Sequence, residues 1–335
     1  MNNDFDIAIL GGGCIGASIF FAMKGWGSRR VCLIDEGRKT ESATAHSGGM
    51  LRVFHENPCH VELALANFRA LDETQLSPAP PSSGTLYFFH RSRFRDYEAI
   101  LRMMDQADYP FEVVTSALGR ERFPLFNWSE EDWAIFEPLA GHRDALRMNE
   151  ELIAGSVRLG ATVLDQTFVR RITRHTDRYR LCTGNDFVSA RSVVIAGGAR
   201  VLPCLKELGL SLPLTSQKLR VHVVESGEAR GAPHFFDRET LEYGRLGHEA
   251  TALLSNEAPA RLKARVGKTL SVREAADCYA PGRIGLLGQL PGYPRLTLAT
   301  GWGGTAFKFA LEIGRRTAAI VEREFDQGRL MHESL

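Results

Sequence analysis

The six cysteines of this 335-residue chain (Cys14, Cys32, Cys59, Cys182, Cys204, Cys278) form no Cys-x-x-Cys pair and no metal-type spacing. That absence argues against a metal site or a disulfide framework. It favours thiols that serve as small apolar residues in a reducing, cytoplasmic setting. Charge of one sign is lacking too, since 41 Lys and Arg face 40 Asp and Glu for a net +1. Nothing in that balance draws the chain to nucleic acid or an anionic membrane, and Arg170-Arg171 and Arg315-Arg316 are too short to change it. Long hydrophobic runs are missing. The run from Ile7 to Leu10 is too short to cross a bilayer and ends in glycines, and no basic segment precedes it. No internal repeat or low-complexity tail is present.

What is there is ordinary in bulk, with 44% hydrophobic and 24% charged residues. A chain of this length favours two domains sharing a cleft over one core. Its first forty residues are more specific. Asp6–Leu10 is β-rich and apolar, Gly11-Gly-Gly13 follows, and Ile15–Met23 is small and apolar. A turn at Lys24–Gly27 leads to a second apolar run, Val31–Ile34, closed by Asp35-Glu36-Gly37. Strand, glycine turn, helix, turn and strand make a βαβ unit.

Further along, helices are expected over 58–71, 93–108, 150–159 and 306–325, and strands over 85–89, 161–164, 192–196, 214–224, 239–246 and 295–299. Residues 179–183 and 187–189 read as a hairpin turning at Gly184-Asn185. Ser77-Pro-Ala-Pro-Pro-Ser-Ser-Gly84 reads as a domain crossing. Nucleotide-type elements thus stand at the start, middle and end. The expected partition is 1–82, 141–212 and 280–335 for a discontinuous nucleotide domain, with 83–140 and 213–279 for a substrate or cap domain.

Gly11-x-Gly13-x-x-Gly16 lies between the first strand and helix. The first glycine permits the sharp turn, the second lets a pyrophosphate reach the backbone, and the third lets helix and strand pack closely. The helix N-terminus then offers free N–H groups and a favourable dipole to that pyrophosphate. A carboxylate for ribose belongs about 20 residues later. Asp35 stands nineteen positions after Gly16, with Glu36 beside it.

Four segments resemble the D-amino-acid oxidase family of flavoproteins, which includes glycine and sarcosine oxidases. They are Asp6–Gly37, Ser42-Ala-Thr-Ala-His-Ser-Gly-Gly-Met-Leu-Arg52, Ser192-Val-Val-Ile-Ala-Gly-Gly-Ala199 and Leu298-Ala-Thr-Gly-Trp-Gly-Gly-Thr-Ala-Phe-Lys-Phe309. The resemblance implies an α/β fold (α+β overall): a Rossmann-like FAD-binding domain with a discontinuous chain plus an antiparallel β-sheet substrate domain. It implies FAD as cofactor. The cofactor residues it suggests begin with Gly11, Gly13, Cys14, Ile15, Gly16, Asp35 and Glu36 in the opening unit. Ser42, Thr44, Ala45, His46, Ser47, Gly48, Gly49 and Met50 would form the small-residue loop beside the flavin, and Val169 would meet adenine through its backbone. Ala196, Gly197 and Gly198 follow, then Gly301, Trp302, Gly303, Gly304, Thr305, Ala306, Phe307 and Lys308 near the flavin ring.

In this family hydride leaves the substrate for flavin N5, so the protein supplies cations and a shaped pocket. Arg52 suits a carboxylate through its planar fork. Lys308 matches a lysine that approaches the substrate carboxylate in sarcosine-oxidase-like members. Tyr243 and Arg245 fall where the substrate sheet should line the cleft, and Tyr87 is a further candidate. His46 and Cys278 are the candidates for flavin contact or covalent attachment, against a loop cap and an inert buried thiol. The segment Gly244-Arg-Leu-Gly-His-Glu249 departs from the family by lacking its lysine, and the stretch from His248 to Cys278 is abbreviated.

The leading reading is an FAD-dependent oxidoreductase acting on the C–N bond of an amino acid or amine to give an imine, with oxygen or another acceptor taking the electrons. The alternatives are a flavin-binding subunit or maturation partner acting on another polypeptide, and an NAD-dependent dehydrogenase.

Overall fold

The computed structural model describes residues 3–332 apart from 24–26, 28, 39, 40 and 185, with side chains placed through Phe325. The chain divides into two compact units. One comprises Met1–Ala45, Ala145–Lys218 and Ala276–Leu335; the other comprises His46–Asp144 and Leu219–Ala275.

The first unit is built on a sheet of eight strands whose main path runs 286–289, 296–300, 186–195, 4–10, 31–34, 162–164. Its centre is parallel: Asp4–Leu10 lies between Val31–Ile34 and Asp186–Ile195, and the latter pairs in parallel with Leu296–Thr300. Central strands covered on both faces read as continuous apolar runs. Ile7, Ala8, Ile9, Cys32, Leu33 and Ile34 are accordingly fully buried. The helix Cys14–Ala22 packs against Ala145–Val157 and the C-terminal helix Ala306–His332. There Gly314 lets two backbones approach, because a Cβ would stand 2.6 Å from the Ser18 carbonyl.

The second unit holds another eight-stranded sheet, ordered 269–279, 215–225, 251–254, 243–245, 234–237, 85–90, 132–137, 112–115. From 215–225 to 112–115 it is antiparallel except where His234–Asp237 runs parallel to Thr85–His90. A short ladder joins Met50–Leu51 to Gly141–His142. One face carries an aromatic core around Leu86, Phe88, Phe126 and Phe235.

Several sequence expectations are corrected. The hairpin strand at 187–189 and the strand at 192–196 are one strand, Asp186–Ile195. Its first half is antiparallel to Arg178–Thr183, and Ser189–Ile195 lie parallel to Asp4–Leu10. The strand expected over 239–246 shrinks to Tyr243–Arg245. The reason is local. The buried Asp237 carboxylate accepts hydrogen bonds from the Glu239 and Thr240 amides at 2.9 and 3.0 Å, and Leu241 adopts φ +59°, so the chain turns before it can pair. Residues 46–82, expected with the nucleotide domain, pack within the second unit, tied there by the Met50–Leu51 ladder and by Pro58–Glu73 lying against Phe94–Gln106. The turn at Lys24-Gly-Trp and residue Asn185 lie outside the described residues.

Candidate cofactor and substrate sites

A cavity of about 500 Å³ lies in the first unit. The opening glycine turn forms one wall. Gly11 takes φ +105°, and a Cβ there would strike Gly197 Cα at 2.4 Å. At Gly16 a Cβ would lie 1.8 Å from the Gly11 carbonyl oxygen, so these two glycines serve close packing. Gly13 differs: its Cβ would meet only Thr44 Oγ1, at 3.3 Å, and Gly13 borders the cavity. Gly13, at the N-cap, has no side chain with which to cap the helix itself. The Cys14 amide donates to Thr44 Oγ1 at 2.9 Å, and Asn149 Nδ2 donates to the Gly12 carbonyl at 2.6 Å, which fixes the turn from both sides.

Asp35 ends the second strand. Its Oδ2 accepts from Gly12 N at 2.6 Å and its Oδ1 from Gly37 N at 2.9 Å. Glu36 pairs with Arg200 at 2.5 Å, and Arg38 approaches it at 3.9 Å. The wall is completed by Val169, Ala196, Gly197 and Gly198. Val169 is a core residue whose carbonyl takes the Cys204 thiol at 3.4 Å.

The late glycine bend reaches the same cavity through Gly301, Trp302, Gly303 and Ala306. Gly301 at φ +95° and Gly303 at φ +53° both take left-handed backbone, and a Cβ on Gly303 would stand 2.0 Å from the Tyr279 ring. The Trp302 ring packs against Gly285, where a Cβ would be 2.3 Å from it. Burial pushes the Asp277 carboxyl up to about 6 despite the opposing charge of Lys308, and pushes the Cys14 thiol up to about 11. The Cys278 thiol, a candidate for flavin attachment, is raised by burial.

Of the expected cofactor residues, Ser42 and Thr44 also border this cavity, while Gly16, Ala45, Gly304, Thr305, Phe307 and Lys308 do not line it. His46, Ser47, Gly48, Gly49 and Met50 belong to the second unit. There Gly49 at φ +64° is required because a Cβ would fall 1.9 Å from the Arg143 carbonyl oxygen. Sequence reasoning missed Asn149, Arg200 and Asp277. Arg200 follows directly on the quoted Ser192–Ala199 motif, and Asp277 precedes the flagged Cys278; Asn149 left no sequence signal.

The expected catalytic residues of the second unit share one sheet face. Strand partners point the same way. Tyr87 is opposite Phe236, Phe236 opposite Tyr243, Arg245 opposite Leu253, and Leu253 opposite Val223. Arg52 lies over this face, its guanidinium 5.4 Å from the Tyr87 ring centroid and 5.6 Å from that of Phe236. It donates to the Phe54 carbonyl oxygen, and the buried Glu137 balances its charge. Glu137 itself accepts from the Val53 and Phe54 amides at 2.6 and 3.1 Å. Tyr87 donates to Glu56 at 2.9 Å.

Beside Arg245 runs a directional hydrogen-bond chain that the sequence did not announce. The Leu246 amide donates to His234 Nδ1 at 3.1 Å, so a neutral His234 carries its proton on Nε2. That proton faces His142 Nδ1 at 3.0 Å, and His142 Nε2 then donates to Glu249 at 2.7 Å. Both rings stay neutral: burial lowers His142, and burial pushes His234 down to about 3.

Among the described residues no group of three or more His, Cys, Asp or Glu could hold a metal ion, and no helix is long and apolar enough to cross a membrane. The model of the DAO family, FAD dependent oxidoreductases, matches residues 6–320. Monomeric sarcosine oxidase of Streptomyces avermitilis is 25% identical over 227 residues, 65% of this chain and 58% of the relative's length. N-methyl-L-tryptophan oxidase of Yersinia pestis is 24% identical over an alignment of 360 residues, 95% of each chain. Among solved structures, glycine oxidase from Geobacillus kaustophilus superposes with a TM-score of 0.79 at 20% identity, covering 96% of this chain and 95% of that one. L-proline dehydrogenase from P. horikoshii does so at 0.84 and 16% identity, covering 96% and 94%. These last two likenesses concern the fold.

Proposed function

The chain belongs to the DAO family of FAD-dependent oxidoreductases, and we propose that it oxidises the C–N bond of an amino acid or amine to an imine, which water then hydrolyses. FAD supplies the two-electron acceptor of that reaction. The observation that carries the reading is the sharing of one cavity by the two glycine bends, Gly11–Gly13 and Gly301–Gly303. The fit to FAD rests on the helix start that borders the cavity at Gly13 and on the side-chain-free approach there.

In this reading the amides at Gly13 and the following helix turn hold the pyrophosphate. Asp35 and Glu36 hold the adenosine ribose, and the Val169 backbone meets adenine. Thr44 and Asn149 keep the turn in place. The amides of Gly301 and Gly303 face the electron-rich edge of the flavin ring. On the second unit Arg52 binds the substrate carboxylate and Tyr243 and Arg245 line the pocket, while Lys308 is the candidate cation of the first unit. Oxygen or another acceptor recovers the electrons. All six cysteines are free, which suits a reducing, cytoplasmic location. The sarcosine and N-methyltryptophan oxidases support secondary amino acids as the first substrates to try.

The test is anaerobic mixing of the holoprotein with a panel of primary and secondary amino acids and amines. Bleaching of the flavin band with release of the matching carbonyl product is expected. A flavin that no member bleaches, in a protein co-purifying with a stoichiometric polypeptide, would favour the subunit reading instead.

A further inference from the structure

We propose that Arg245 and Arg273 form a second anion subsite on the substrate sheet, so that the preferred substrate is an amino acid carrying an additional carboxylate. This rests on the amine-oxidising function above and narrows it.

Arg245 is half-buried and its Nε is fully buried, yet no protein acceptor receives it. Among the described residues its guanidinium makes no hydrogen bond and no ion pair within 4.0 Å. Glu249 and Asp144 act on it through space, but the nearer contact of Glu249 is its 2.7 Å bond to His142. The neutral His142–His234 chain holds Glu249 in that orientation, and so keeps it from turning to Arg245. The Arg245 stem rests against Gly48, where a Cβ would lie 4.0 Å from its own Cβ, which limits the swing of the side chain.

Arg273 is the second cation. It also is half-buried with no hydrogen bond or ion pair among the described residues, and its charge bears on Arg245. Its face follows from its neighbour: Glu274 bonds Arg220, so it points with Arg220, away from Val221 and Val223. Residue 273 therefore shares the face of Val223, Leu253 and Arg245. Two like charges are left unpaired on one apolar, aromatic-edged face. A guanidinium removed from water needs an acceptor with fixed geometry, and a carboxylate meets its fork in a bidentate fashion. Arg261, another shielded arginine of this unit, by contrast pairs with Asp132 and Asp237.

The experiment uses FAD-loaded wild type and the variants Arg245→Gln and Arg273→Gln. Binding of non-reacting glutarate and butyrate is read by titration calorimetry, and bleaching rates are read for racemic aspartate, glutamate and N-methylaspartate against alanine, proline and sarcosine. Wild type is expected to bind glutarate at least tenfold more tightly than butyrate, and to oxidise the dicarboxylates with at least tenfold higher kcat/KM. Either substitution should erase both preferences while FAD content and Tm stay as in wild type. Equal binding of the two acids, or a preference that survives Arg245→Gln and Arg273→Gln, overturns the subsite. Loss of FAD from Arg245→Gln would assign that arginine to the cofactor and overturn it too. Retention of the glutarate preference without oxidation of any amine would keep the subsite and defeat the amine-oxidising reading.

Discussion

The two units solve recognition with different materials. In the first, the cavity is shaped by backbone: glycines at positive φ, amides at a helix start, and a Gly12 residue held at its carbonyl by Asn149 and at its amide by Asp35. In the second, the candidate site is a sheet face whose aromatic rings and arginines come from strands far apart in sequence. A backbone site tolerates few residue types, because a Cβ at Gly11 or Gly16 collides with the main chain. A side-chain site on a sheet is set by register, and register is a tertiary fact.

The sharpest way to break the comparison is Gly13→Val. If the cradle is made of backbone, the added side chain takes ligand space at the cost of one tight contact, since the only atom near its Cβ is Thr44 Oγ1 at 3.3 Å. The expected result is a folded protein that retains less than about a tenth of the wild-type FAD, measured by absorbance ratio after gel filtration. Gly16→Val should instead fail to fold, because its Cβ meets the Gly11 carbonyl oxygen at 1.8 Å.

Arg52→Met probes the side-chain region. It leaves Glu137 buried without its balancing cation, and a loss of about 3–5 kcal/mol in chemical denaturation is expected. A loss below about 1 kcal/mol would mean that Glu137 simply takes up a proton.

The two regions should also respond to pH with opposite sign. His234 is depressed on folding, so the unfolded chain binds more protons below about 6.5 and stability falls there by roughly 1.4 kcal/mol per pH unit. His234→Asn keeps an acceptor for the Leu246 amide and should remove that slope between pH 6.5 and 4.5. Asp277 is raised on folding, so its contribution is present below about 4 and is lost as pH climbs through about 6. Asp277→Asn should therefore raise stability at pH 7 by roughly 1–3 kcal/mol and leave it nearly unchanged at pH 4. Parallel shifts in both variants would contradict the assigned burial. The smallest effect belongs to Arg91→Ala, which breaks an exposed pair with Glu131 and should cost at most about 1 kcal/mol.

The contrast also explains what the sequence disclosed. The opening βαβ unit was legible nearly to the residue, because Val31–Ile34 and the glycine turn report local geometry. The second unit was legible only in part. Tyr243 and Arg245 were singled out from the sequence, whereas Arg273, His142, His234 and Glu249 were not. Their meaning depends on which strands meet, and His142 and His234 are 92 positions apart. The shortening of the strand before Tyr243 was hidden for a similar reason, since Asp237 makes its turn through a carboxylate that the periodicity of apolar residues does not register.

The most direct measurement is a titration of flavin-stripped protein with FAD, with ADP and FMN as competitors, followed by flavin fluorescence. If the glycine-walled cavity grips the dinucleotide from its pyrophosphate outward, one FAD binds per chain, ADP displaces it, FMN alone binds far more weakly, and Gly13→Val abolishes uptake. Tight FAD binding that survives Gly13→Val and ignores ADP would contradict that assignment.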